Sequence, residues 1–179
     1  MPPSARPTGV ERTFERDEII VTKTDLQGRI TYANDVFLRI SALTEDEALG
    51  KPHNVIRHPD MPGGVFCLMW ETLAQGHEMF AYVQNLATDG AHYWVFAHVT
   101  PTVDATGRVV GYHSNRRAPS HAGVLAAQDL YRRVLAEERR TPSAPEAAAR
   151  GIATLREILD KQGTTYDELV WSITKEDAA

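Results

Sequence analysis

Lys51-Pro52-His53-Asn54-Val55-Ile56-Arg57-His58-Pro59-Asp60-Met61-Pro62 sets three prolines, two histidines, an arginine and an aspartate within twelve residues. Proline removes an amide donor and clashes with the preceding helical turn, so no single helix runs through this stretch. It reads instead as a loop dense in hydrogen-bonding groups, set between two regions of clear hydrophobic patterning.

Upstream, residues 17–24 (DEIIVTKT) form a short β-branched strand, and Asp25-Leu26-Gln27-Gly28 is a turn in which glycine takes a positive φ cheaply. Arg29-Ile30-Thr31-Tyr32-Ala33 returns as the second strand of a hairpin. A helix is predicted from Asn34-Asp35, using Phe37, Leu38 and Ile40. A second opens at Thr44-Glu45-Asp46-Glu47, which has capping-box spacing, and stops at Gly50. Downstream, Phe66, Met69, Trp70 and Leu73 mark one face of a helix over residues 63–74. Strands follow at about 79–87, 91–103 and 108–116, joined by Thr88-Asp89-Gly90 and Asp104-Ala105-Thr106-Gly107. Two strands, a helical excursion and three strands imply an α+β domain with a five-stranded antiparallel sheet and helices on one face.

The remainder is helical. Residues 121–140 place Val124, Leu125, Tyr131, Val134 and Leu135 on one stripe. Ser143 and Glu146 have capping spacing for a helix to about 162 with Ile152, Leu155, Ile158 and Leu159 as its apolar face. Thr165 and Glu168 repeat that spacing ahead of Leu169, Val170 and Ile173. The expected organisation is a flexible N-terminal leader or cap over 1–16, a sensor domain over 17–119 and a C-terminal helical signalling or interaction region over 120–179.

Composition bounds the function. The chain has 179 residues, 42% of them hydrophobic and 24% charged, enough apolar material for a core. Its formal charge of −5 disfavours nucleic acid and anionic membranes as partners, since both attract concentrated positive charge. The start has no apolar run, and no stretch approaches the roughly 20 apolar residues that cross a bilayer. A single cysteine, Cys67, forms no internal disulfide. The expectation is a cytoplasmic protein without direct membrane insertion. Zinc-ligand spacing, a Gly-rich phosphate loop and a nucleophile elbow are all missing from the sequence, so no enzymatic activity is expected.

Three segments carry a family resemblance: Ile30-Thr31-Tyr32-Ala33-Asn34, the run from Gly50 to Pro62, and Asp89-Gly90-Ala91-His92-Tyr93-Trp94-Val95. Together they closely resemble the PAS domain of bacterial aerotaxis receptors and energy-taxis proteins, over about residues 17–117. The resemblance implies a PAS fold that binds FAD non-covalently and reads cellular redox state or oxygen. It also implies signalling to a chemotaxis transducer or another signalling partner, with a homodimer as a further option.

The residue chemistry suits a flavin. An isoalloxazine needs apolar walls and a few edge donors and acceptors. Phe66, Trp70 and Trp94 are candidate walls, with Met79 able to lie against a ring. Asn34 and Asn85 are candidate edge partners, although Asn34 equally suits capping the helix it precedes. Arg57 offers a planar fork for a pyrophosphate, with His53 and His58 as further donors. Asp60 belongs to the same loop, and Arg57 and Asp60 also suit a simple pair that fixes it. Tyr93 and Trp94 point to opposite faces of one strand, so at most one faces a pocket. Two alternatives remain: a haem-binding PAS domain, for which seven histidines supply possible ligands, and a cofactor-free interaction module. The stripe on residues 121–140 is either an intramolecular cover or a dimer or partner seam.

Overall fold

The computed structural model describes residues 5–176. The chain divides into two compact units, one made of residues up to His58 with Gly76–Ala118, the other of Pro59–Gln75 with the residues from Pro119 onward.

The first unit is built on one antiparallel sheet. Its strands are β1 (Ile20–Thr24), β2 (Ile30–Ala33), β3 (Met79–Leu86), β4 (His92–Val103) and β5 (Val109–Arg117), in the spatial order β2-β1-β5-β4-β3. Two hairpins close by the same device. The Asp25 carboxylate accepts from the amides of Gln27 and Arg29, and Asp104 accepts from those of Thr106 and Arg108. An aspartate that satisfies its own turn is why these short loops form so reliably.

Between β2 and β3 come α1 (Asp35–Ser41), α2 (Glu45–Ala48) and a 3-10 turn at His53–Ile56. Asn34 caps α1 by accepting from Phe37 N, and Thr44 with Glu47 forms the expected capping box on α2. Phe37 and Ile40 then pack over Ile20, Tyr93, Val95 and Ala97, all buried, which makes this the inner face of the sheet.

Within the leader or cap expected over 1–16, residues 6–14 are tied to this unit. Thr8 N donates to Gly90 O, Arg12 N donates to His92 O, and His92 N donates to Val10 O. Arg12 also pairs with Asp89 and donates to Ile40 O, while Phe14 packs on the core. Prolines gave the segment its loop-like composition, but free strand-edge groups at residues 90–92 give it backbone partners. The first four residues of that leader lie outside the described residues.

The second unit is helical: α3 (Gly63–Ala74), α4 (His121–Glu138), α5 (Ala144–Gln162) and α6 (Tyr166–Glu176). By its packing α3 belongs here, against α5, although in chain order it interrupts the sheet. Its N-terminus has no side-chain cap of its own. Glu138 supplies one, accepting from Gly63 N at 2.9 Å and Gly64 N at 2.8 Å. This places a negative charge at the positive end of the helix.

The α3–α5 crossing is close because glycine meets glycine. A methyl on Gly64 would overlap the Gly151 carbonyl carbon and the Ile152 nitrogen. Along α4 the buried positions are Gly123, Ala127, Leu130, Tyr131 and Val134. Leu125, expected on the apolar stripe, is 52% exposed. The seam runs through the small residues, which let helices approach, and Leu125 falls off it by helical phase. The α5 face is as expected, with Ile152, Leu155, Ile158 and Leu159 buried. Among the described residues, no helix is long and apolar enough to cross a membrane.

Candidate functional site

The inner face of the sheet is read directly from the strand register. Moving along the strands, Asn85 lies opposite Tyr93, then Val83 opposite Val95. Next comes a row of Ala81, Ala97, Arg116 and Ile20, then one of Met79, Val99, Ser114 and Thr22. Paired alanines at 81 and 97 keep the middle of this face low, while Val83, Val95 and Met79 give it an apolar surface. Successive rows on one face lie roughly 6.6 Å apart, so the face extends about 20 Å from the Met79 row to the Asn85 row.

Polar groups surround that floor. Arg116 is 5% exposed, and its Nη2 donates to Thr22 Oγ1 at 2.8 Å and to His53 Nε2 at 2.7 Å. Thr22 Oγ1 and His53 Nε2 are themselves 3.1 Å apart. Since Nε2 accepts from the guanidinium, the imidazole proton belongs on Nδ1. Burial, and then the Arg116 charge, push the His53 ring down to about 3, so it is neutral at physiological pH. Burial lowers Arg116 to about 10, which leaves it charged. Its Cζ lies 5.9 Å from the centroid of the Phe37 ring. No carboxylate pairs with it among the described residues. Nearby, Tyr93 OH and Ser41 Oγ share a buried hydrogen bond of 2.7 Å, and burial raises the phenol to about 12.

Three buried groups on this face have no hydrogen-bond partner: Asn85 Nδ2, Ser114 Oγ and Arg116 Nη1. An unsatisfied buried donor costs about 1–3 kcal/mol, and three on one face is a concentration that ordinary cores avoid.

The sequence-derived candidates are distributed over both units and both faces. Asn85 and Met79 lie on the inner face. His53 reaches the same region through Thr22 and Arg116. Arg57 is exposed, and its backbone bridges to that of Asn85. His58 is buried, its ring edge-on to His92 with centroids 6.0 Å apart. Trp94 is on the opposite face from Tyr93, in line with Phe96 and His98. Asn34 spends its amide on backbone, accepting from Val21 N and Phe37 N and donating to Ile19 O. It borders an outer-face groove with Val21, Phe80, Phe96 and Asn115, where Phe80 stacks on His98 with centroids 4.1 Å apart. Asp60, Phe66 and Trp70 are in the second unit. There Asp60 pairs with Arg139 at 2.7 Å, an exposed ion pair that contributes little, and Trp70 is 43% exposed.

Comparison with known proteins agrees with this architecture. A family model described as the PAS fold matches residues 30–116. The aerotaxis receptor of Escherichia coli is 41% identical over 116 residues, which is 65% of this chain and 23% of that receptor. Residues 30–116 have the PAS fold, similar in sequence to part of the aerotaxis receptor. The biofilm dispersion protein BdlA of Pseudomonas aeruginosa is 31% identical, over 54% of this chain and 24% of that protein. The chain thus spans about a quarter of the length of these relatives. Among solved structures, the dark state of the blue-light photoreceptor Aureochrome1 LOV superposes with a TM-score of 0.55. It is 21% identical and covers 62% of this chain and 82% of that one, a likeness of fold alone.

Arg116, Ser114 and Thr22 escaped the reading of the sequence. His113-Ser114-Asn115-Arg116-Arg117 ends a strand in polar residues, which reads as an exposed edge. The available signal was alternation: from the buried Ile20 outward, pairing with β1 puts Arg116 and Ser114 on the core face of the PAS sheet. That pairing is long-range, and one strand by itself does not reveal it.

Proposed function

We propose that the chain is a cytoplasmic redox or oxygen sensor. Its sensor domain, residues 17–119, would hold FAD non-covalently, and the helical region 120–179 would relay its state to a chemotaxis transducer or another signalling partner. The observation that carries this reading is the inner face of the sheet: a low apolar floor bordered by three buried donors without partners.

Those donors suit the group. Arg116 Nη1 and Ser114 Oγ, in adjacent rows, can donate to ring-edge oxygens and nitrogens, Asn85 Nδ2 lies toward the far end of the same face, and Ala81, Ala97, Val83 and Val95 offer a flat apolar surface. Tyr93 keeps its proton and is held by Ser41, so it contributes shape rather than charge. Arg57, an exposed residue whose backbone bridges to Asn85, would be the planar cation available to a pyrophosphate. When bound, a flavin supplies reversible electron uptake, which the side chains of this domain do not provide. Similarity to the aerotaxis receptor adds support.

The absorption spectrum of freshly purified protein, before and after chemical reduction, tests the cofactor. Blue and near-ultraviolet bands that bleach on reduction are expected, with FAD as the released species. A folded protein that is colourless and takes up no added flavin refutes the reading, and a Soret band would identify haem instead. Limited proteolysis of the helical region in oxidised and reduced protein tests the relay. Identical cleavage patterns count against it.

A further inference from the structure

Buried arginines are normally matched by carboxylates, because a desolvated charge is costly without an opposite one. Arg116 breaks that pattern. It is 5% exposed, and its Nη2 is occupied by two neutral acceptors, Thr22 Oγ1 and His53 Nε2. Its Nη1 is buried with no partner, and an uncharged aromatic ring, Phe37, lies beside the guanidinium. The residues that hold it fix its orientation without neutralising it. His53 cannot offset the charge, being neutral, and Tyr93 cannot either, since its phenol stays protonated. What remains is a preorganised cation with a donor in reserve.

We infer that Arg116 is the charge-recognising residue of the cofactor site, its Nη1 reserved for the N1–C2=O edge of a bound isoalloxazine, where negative charge gathers on reduction. This rests on the flavin reading above. Two electrons from an external donor (dithionite in the assay) and one proton from solvent at N5 convert oxidised flavin to a monoanion. That negative charge is spread over N1 and the C2 oxygen. A fixed cation beside that edge, in a site of low dielectric, binds the monoanion more tightly than the neutral oxidised ring. Arg116 therefore sets which redox state the domain favours, with Thr22 and His53 as positioning residues.

The shared chemistry, an anionic group of the cofactor, has a second source in the FAD phosphates. The experiment separates the two by using riboflavin, which has none, alongside FAD. The full-length protein is reconstituted with each, and the potential of the bound flavin is measured against free flavin in the same buffer. Wild-type protein is expected to hold either flavin at a higher potential than free solution. Arg116→Gln should lower that potential for both, by at least a tenfold loss of preference for the reduced form, ~30 mV for a two-electron couple. Arg116→Lys, which keeps the charge without the fork, should fall between them.

A bound potential in wild-type protein at or below that of free flavin overturns the inference, and needs no variant to fold. So does an unchanged potential in Arg116→Gln. Weakened FAD binding in that variant with riboflavin unaffected assigns Arg116 to the phosphates and overturns the ring-edge assignment. If wild-type protein binds no flavin at all, the functional reading falls, and this one with it. Bound flavin whose potential ignores Arg116 sinks this inference alone.

Discussion

Gly64→Ala is the substitution whose outcome the structure specifies most sharply. In an open helix, replacing glycine by alanine stabilises by up to about 1 kcal/mol, because alanine loses less backbone entropy. At position 64 the new methyl would overlap the backbone of Gly151 and Ile152 on α5, and would sit 2.8 Å from the Gly151 oxygen. These are main-chain atoms of a packed helix and cannot rotate aside. The crossing must open by roughly 1 Å, which loosens the contacts of the buried Ile152 and Leu155 with α3. Overpacking of this kind typically costs about 1–3 kcal/mol. Because the overlapped atoms are main chain, the upper part of that range, about 2–3 kcal/mol, applies, and after a propensity gain of about 1 kcal/mol a net loss of about 1–2 kcal/mol is expected. At about 2–4 °C per kcal/mol for a chain of this length, that is a fall in Tm of roughly 2–8 °C. Denaturant titration followed by helical circular dichroism should show a lower midpoint at an unchanged slope. A variant as stable as the parent, or more stable, would show that the glycine crossing is not a close contact.

Glu138→Gln keeps the size of the α3 cap but removes its charge from the helix N-terminus, and should cost about 0.5–1 kcal/mol. Glu138→Ala, which also orphans two amides, should cost about 1–2 kcal/mol, so equal losses for both would refute the charge argument. Folding stability should decline as pH falls from about 6.5 toward 3. The unfolded chain takes up a proton on residue 53 near 6.5, whereas the folded ring stays neutral down to about 3. The effect is on the order of a few kcal/mol, and His53→Gln should flatten that part of the stability–pH curve; an unchanged curve contradicts the half-buried neutral imidazole. Tyr93→Phe leaves the fully buried Ser41 hydroxyl without its partner and should cost about 1–3 kcal/mol, and adding Ser41→Ala should recover part of the loss. Additive losses in that double variant would exclude the shared hydrogen bond.

Much of the fold was legible in the sequence because its signals are local. The turns at Asp25 and Asp104, the capping box at Thr44–Glu47 and the glycine stops lie within a few residues of the elements they bound. The strand and helix assignments therefore follow from short windows. The placement of Asn85 and Met79 on one strand was legible too, since the alternation that marks β3 is local. Asn34 had two equal readings, and its side chain caps α1 and ties to the backbone of Ile19 and Val21. Arg116 was invisible because a strand-end arginine has the composition of a surface residue. Only its pairing with Ile20, 96 positions earlier in the numbering, turns it inward.

By itself, then, the sequence determined the order of elements, the hairpins and the resemblance to PAS domains, all properties of short-range pattern and motif. Tertiary structure alone decided three things. It tied residues 6–14 to the strand edge, where backbone groups needed partners. It placed α3 with the C-terminal helices through a glycine crossing and a carboxylate cap 74 residues away. It left one buried guanidinium without an opposite charge. Each depends on which distant groups meet in space, and burial gives such meetings their energetic weight.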